Sequence, residues 1–187
     1  MILFLDTETT GLPKSRNASP EVTDMWPHMV SVAWITSLPS DKQCVEYIVK
    51  PRGYTIPSAA SNVHGITTQH ATENGRDIEI VMDALTHRLK DCSHIACYNV
   101  QFDKSVLLSE AYRMQNQELV HLLKGMKWYC VMKRVRNHLS LKKHIKLALA
   151  HGLICKNKND STYQYHNASK DVLATRDIMF SILGEVR

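Results

Sequence analysis

The chain has 187 residues and a mass of 21.3 kDa, is 44% hydrophobic and 22% charged, and carries a net charge of +5. These values exclude a disordered or collagen-like chain and allow a core large enough to need no disulfide staple. No Pro/Gly/Ser-rich linker or low-complexity tract interrupts it, so one domain over residues 1–187 is expected.

The first strand opens the chain: residues 2–5 are apolar, and the run stops at Asp6 and Glu8. That run is far below the roughly 18 residues a bilayer span needs, and it has no basic flank or cleavage pattern of a signal peptide, so no membrane association and a cytoplasmic location are expected. Five cysteines, Cys44, Cys92, Cys97, Cys130 and Cys155, are scattered without a C-x-x-C pair, which fits free thiols in a reducing compartment.

Residues 29–35 and 43–49 read as two further strands, giving an antiparallel meander. The connection over residues 13–27, with Pro13, Pro20 and Pro27, reads as a long irregular loop, either functional or a surface excursion. Residues 57–63 suggest a short helix before the turn at Gly65. Ile78, Val81, Met82, Leu85 and Leu89 recur at helical spacing, with an exit at Cys92 and Ser93. Residues 94–98 form a strand feeding a helix through Val106, Leu107 and Ala111. A strand over 127–131, a basic amphipathic helix over 139–149 and a final helix over 168–183 complete the pattern. The fold class is therefore α/β, with a mixed sheet of about five strands flanked by helices.

Charge is uneven along this order. Residues 1–118 carry a net −4, whereas residues 119–159 hold ten Lys/Arg and no acid. Such a block is a candidate footprint for a polyanion, because each cation that neutralises a phosphate releases counterions; it reads equally as a solvated basic face.

Three short motifs could carry chemistry. Asp6 and Glu8, two apart on a strand, leave one face of the sheet and can share a cation, with Thr7, Thr9, Thr10 and Gly11 building a small-residue turn. N-V-Q-F-D over residues 99–103 puts Asn99 at a strand-to-helix junction as a cap and Asp103 in the first turn. H-N-A-S-K-D over residues 166–171 puts His166 just outside the last helix, Asn167 at its cap and Asp171 in its opening turns. Taken singly, each has an ordinary structural explanation.

Taken together, L-F-L-D-T-E-T-T-G-L at the start, V-H-G-I-T over residues 63–67, Y-N-V-Q-F-D, and H-N-A-S-K-D-V-L-A-T resemble the successive motifs of the DEDDh 3′-to-5′ exonucleases. These are ribonuclease-H-like proteins similar to the proofreading subunit of bacterial replicative polymerases. The resemblance implies that Asp6, Glu8, Asp103 and Asp171 hold two divalent cations, Mg²⁺ or Mn²⁺, suited to hard oxygen ligands. It implies that His166 is the general base, since an imidazole can take a proton near neutral pH. Tyr163 and Tyr165 lie near it, but His166 has the matching spacing to Asp171.

The same resemblance implies that backbone N–H groups near Thr9 and Thr10, with Gly11, meet a terminal 3′-hydroxyl, that Leu12 wedges against a base, and that His64 and Asn99 adjoin the substrate. Lys142, Lys143 and Lys146 would steer the strand, and Tyr54, Trp128 and Tyr129 could stack on bases. The implied partners are nucleic acid with a free 3′ end, single-stranded DNA or RNA, and a polymerase or other replication or repair protein. Only 16 residues follow Asp171, fewer than in the replicative proofreaders, which favours a free-standing nuclease or one bound through another surface. An RNA-processing exonuclease and a non-catalytic binding adaptor remain open alternatives.

Overall fold

The computed structural model describes residues 1–41, 43–155 and 166–184. Its centre is a five-stranded sheet in the order β3-β2-β1-β4-β5. The strands are β1 (Ile2–Thr9), β2 (Met29–Thr36), β3 (Val45–Ile48), β4 (His94–Cys97) and β5 (Lys127–Cys130). β1 runs antiparallel to β2, which runs antiparallel to β3, and the meander is as expected. β4 lies parallel to β1 and β5 parallel to β4, so the sheet is mixed.

Alternation along β1 builds two cores. Leu3 and Leu5 face one layer, where Val32, Trp34 and Ile95 meet α3 (Ile78–Leu89), α4 (Val100–Arg113) and α5 (Gln117–Gly125) through Met82, Leu107 and Leu123. Phe4 faces the other layer, where Ile35 and Ala96 meet α6 (Val131–His138), α7 (Leu147–Ile154) and α8 (Ala168–Gly184) through Val135, Ala150 and Ile178. A strand covered on both faces reads as a continuous apolar run, which is why residues 2–5 do not alternate in polarity. Two short helices, α1 (Ser58–His64) and α2 (Thr68–Asn74), cover a third, smaller cluster around Val30, Ile56 and Ile66.

Several boundaries differ from the expectation. β1 continues to Thr9, because Asp6–Thr9 still pair with β2, so Thr7 and Thr9 are strand residues rather than part of a turn. Of the helix expected over 139–149 only residues 147–149 are helical, as the first turn of α7. Val131 and Val135 are instead buried one turn apart in α6, and this helix ends where Ser140 adopts φ 51° and Leu141 N–H donates to Arg136 C=O at 2.8 Å. That left-handed cap closes α6 and sends residues 141–146 into an irregular path that bends at residues 142 and 143, held by the Tyr98 hydroxyl donating to Ile145 C=O at 2.7 Å. Lys142, Lys143 and Lys146 consequently do not share a helix. The connection over 13–27 is not wholly irregular, since residues Thr23–Met25 form a single 3-10 turn. Among the described residues, no helix is long and apolar enough to cross a membrane, and no disulfide joins the cysteines.

Candidate active site

β4 pairs with β1 only as far as Phe4, so the last half of β1 has an open edge on that side. The chain leaving β4 turns into α4 there, and the side chain of Asp103 fills the gap. Its Oδ1 accepts from Thr7 N–H at 3.1 Å and from Thr7 Oγ1 at 2.9 Å. A crevice at the carboxyl ends of parallel strands is where α/β sheets bind ligands, and the chain reversal between β1 and β4 creates it here.

Asp6 and Glu8 project to the face shared with Phe4, as the period of two requires, and meet the start of α8. One carboxylate oxygen each from Asp6, Glu8 and Asp171 lie within 4.8 Å of one another. α8 is positioned by its cap: Asn167 Oδ1 accepts from Lys170 N–H at 3.2 Å, as its place before the helix predicts. Asp171 is buried; its Oδ2 accepts from His166 N–H at 3.2 Å, and its Oδ1 meets no partner among the described residues.

Among the described residues no cation is paired with this group. Burial, with Asp103, Asp171 and Glu8 close by, holds Asp6 well above the usual carboxylate range. Burial together with the Asp171 and Asp103 charges pushes Glu8 up to about 8. Burial raises Asp103 to about 7, although the Thr7 hydrogen bonds pull the other way. Asp171 rises to about 6 through burial, opposed by the His166 N–H. Hard oxygens crowded in this manner, with a buried carboxylate oxygen unpartnered, are suited to a divalent metal ion. Three of the four expected ligands converge; Asp103 stands beside them, with one oxygen engaged by Thr7.

His166 is exposed and adopts φ 68°, a left-handed conformation that turns the chain into α8. Tyr163 and Tyr165 lie outside the described residues, as do Lys156 and Lys158 of the basic block.

The turn after β1 follows a register shift between Glu8 and Thr9, a bulge of the kind that re-aims side chains at strand ends. Thr9 Oγ1 donates to Gly11 C=O at 2.7 Å. Gly11 sits at φ 148° with open space where a Cβ would be, so its backbone conformation rather than crowding selects glycine. Leu12 emerges 74% exposed. Thr10 departs from the expectation: its N–H already donates to His28 C=O at 2.9 Å, and its hydroxyl accepts from His28 N–H at 3.0 Å. These reciprocal bonds fix the turn and leave Thr10 N–H engaged.

His64 ends α1 and is buried against the end of β1. Its Nδ1 accepts from Ile66 N–H at 3.1 Å, its Nε2 has no hydrogen-bond partner among the described residues, and burial lowers its pKa against the pull of the Thr9 backbone. Asn99 does not cap α4 with its side chain, contrary to the expectation; it is exposed, and only its carbonyl bonds into the helix, accepting from Phe102 N–H at 3.0 Å. Tyr54 is stacked on His28 at 4.0 Å with its hydroxyl donating to Met29 C=O, so that ring is already engaged. Trp128 is packed into the first core, with its indole N–H donating to Leu123 C=O.

Thr7 was read only as part of the turn, and Glu110 and Arg113 were not singled out by the sequence. Thr7 was findable, because a residue between Asp6 and Glu8 must face the opposite layer, where α4 lies. Glu110 and Arg113 carry no sequence signal, since their partners are the ends of a loop more than eighty residues away.

The family model described as Exonuclease matches residues 3–179. No curated protein matches the chain. Among solved structures, Escherichia coli exonuclease I in complex with a dA16 oligonucleotide superposes with a TM-score of 0.72 at 20% identity, over 100% of this chain and 41% of its own. Exonuclease X in complex with 5′ overhanging duplex DNA superposes with a TM-score of 0.65 at 19% identity, over 99% and 92%. Exonuclease I from Methylocaldum szegediense gives 0.64 at 20% identity, over 98% and 40%. The chain thus spans about two fifths of the length of exonuclease I, and at these identities the likeness establishes the fold. With the family model covering nearly the whole sequence, the chain belongs to the exonuclease family, and its motifs group it with the DEDDh 3′-to-5′ members.

Proposed function

We propose that this protein is a metal-dependent 3′-to-5′ exonuclease that hydrolyses the terminal phosphodiester of single-stranded DNA and releases nucleoside 5′-monophosphates. The observation that carries this reading is the convergence of Asp6, Glu8 and Asp171 oxygens at the end of the central strand, with Asp171 Oδ1 buried and unpartnered. Residues 1–187 act as one catalytic domain, and the free thiols suit a reducing compartment such as the cytoplasm.

Asp6, Glu8 and Asp171, with Asp103 beside them, would hold Mg²⁺ or Mn²⁺. Such ions supply Lewis-acid stabilisation to a phosphodiester and lower the pKa of bound water. The chain's own residues orient the rest. Thr7 fixes Asp103, and the His166 N–H fixes Asp171. His166, exposed just before α8, takes the proton from the attacking water. Thr9, Thr10 and Gly11 shape the turn that receives the terminal nucleotide, Leu12 and His64 border it, and Asn99 faces it from the start of α4. The choice of single-stranded DNA draws on the exonuclease I structures, which hold dA16 and dT13.

The test is a gel time course on 5′-labelled single-stranded DNA and RNA of one sequence, with Mg²⁺, Mn²⁺ or chelator, beside Asp6→Ala. A ladder shortening from the 3′ end, lost in chelator and in the variant, is expected with DNA. Faster RNA shortening transfers the reading to an exoribonuclease, and equal turnover by Asp6→Ala removes the site.

A further inference from the structure

Two hydroxyls on the elements that carry the carboxylates have no assigned role. Ser31 on β2 and Thr175 on α8 are both 0% exposed, and Ser31 Oγ and Thr175 Oγ1 have no hydrogen-bond partner among the described residues. A hydroxyl withdrawn from water without a partner is disfavoured, so each calls for a polar neighbour.

Strand register supplies the neighbour of Ser31. Across the ladders it is the Cα partner of Glu8 on β1 and of Ile48 on β3, so Glu8 is its one polar partner in register. Registered residues point to the same face, and Ile35, four positions along β2, packs with Phe4 in the second core. Ser31 therefore faces the α8 side with Glu8, at the roughly 4.5–5.5 Å Cβ separation of directly opposed residues.

Helix period supplies the neighbour of Thr175. It follows Asp171 by four residues on the buried face of α8, where Cβ atoms one turn apart are about 5–6 Å from each other. The two carry complementary unpartnered atoms, since Thr175 Oγ1 can donate and Asp171 Oδ1 can only accept when ionised. A third pair shows the same device complete, with Thr7 Oγ1 donating to Asp103 Oδ1 at 2.9 Å.

We infer that Ser31 and Thr175 are positioning residues of the carboxylate site, their hydroxyls orienting Glu8 and Asp171 for a divalent cation as Thr7 orients Asp103. This inference rests on the proposed metal dependence. Neither bond is formed in this structure, where the carboxylates crowd one another; the two hydroxyls are the neutral donors that carboxylates ordered around an ion would meet. Neutrality suits the role. A Lys or Arg would fix a carboxylate as well, but its charge would offset the negative charge that attracts Mg²⁺ or Mn²⁺, whereas a hydroxyl gives a hydrogen bond and leaves that charge in place.

The experiment titrates Mn²⁺ into the wild type, Ser31→Ala, Thr175→Val and Thr175→Ser, following free Mn²⁺ by its electron paramagnetic resonance signal, so that binding is read without turnover. Thr175→Val removes the hydroxyl and keeps the branched shape; Thr175→Ser does the reverse. Ser31→Ala and Thr175→Val should each weaken Mn²⁺ binding about tenfold, the lower end of what losing a partner of a metal ligand costs. Thr175→Ser should bind as the wild type does, and all four should bind a single-stranded oligodeoxynucleotide equally in EDTA.

Unchanged Mn²⁺ affinity in Ser31→Ala or in Thr175→Val removes that residue from the role. An equal loss in Thr175→Ser also removes Thr175, since it assigns the effect to the methyl group. A wild type that binds Mn²⁺ with the help of these hydroxyls yet shortens neither DNA nor RNA overturns the exonuclease reading and not the positioning role.

Discussion

Helix α4 carries two buried carboxylates two turns apart, Asp103 at 3% and Glu110 at 5% exposure, and their surroundings are opposite. Glu110 accepts from Met29 N–H at 2.8 Å and from Arg113 Nη1 at 2.8 Å, with His28 Nδ1 at 3.7 Å. Arg113 spends its other donors on the carbonyls of Thr23, Trp26 and Pro27. Every charge at that end has a counterpart, and the result is a clamp on the loop that holds the Thr10–His28 bonds. Asp103 receives hydrogen bonds from Thr7 but, among the described residues, no cation, and it faces three further carboxylates. The fold neutralises one end of the helix and leaves the other unbalanced, so a site of this kind is recognised by the compensation it lacks.

The contrast can be broken first at the cluster. Asp171→Asn should lower turnover by more than the roughly 10- to 100-fold that loss of a residue merely supporting a metal ligand costs. The same variant should melt at a higher temperature than wild type in EDTA, since one repelling charge is gone. A lower melting temperature in EDTA would mean that the crowded carboxylates are not a source of instability.

At the other end, the sign reverses. Glu110→Gln leaves the half-buried Arg113 without its counter-charge and should destabilise the fold by about 3 kcal/mol, or roughly 10 °C in thermal melting. Well below the melting transition, turnover should survive, which separates this change from Asp171→Asn.

The smallest effect is the pH dependence, and it sharpens the comparison. Glu8, Asp103 and Asp171 have folded-state values of about 8, 7 and 6, above the ordinary carboxylate range near 4. Between those limits the folded chain holds more protons than the unfolded one, so the metal-free protein loses stability as pH rises from about 4 through about 8. Melting curves in EDTA should therefore fall by a few degrees from pH 5.5 to 8.5, and Mg²⁺ or Mn²⁺ should restore most of the loss at the upper end. A flat profile in EDTA would show that the carboxylates are not raised.

Much of the frame could be read from local pattern. The meander, the 78–89 helix and the last helix were legible because their apolar residues follow one clear period. α5 and α6 were missed, since a charged chain such as V-M-K-R-V-R-N-H shows only two buried positions, Val131 and Val135. The basic residues were visible as a count but placed on the wrong element, because the stop at Ser140 depends on a left-handed conformation that a serine does not announce.

The site divides in the same way. Sequence alone placed Asp6 and Glu8 on one face, Asp103 and Asp171 at helix starts, and Asn167 as a cap, because these follow from strand period and helix-end chemistry, which are local. Only the tertiary structure decided that β4 stops short and lets Asp103 reach Thr7, that Asp171 meets the β1 pair, and that His28 takes the N–H of Thr10. It also decided that Arg134 lines a cavity with its Nε buried. Those outcomes depend on strand overhang and on contacts between residues distant in the chain, and no local pattern encodes the distance between two carboxylates on different elements.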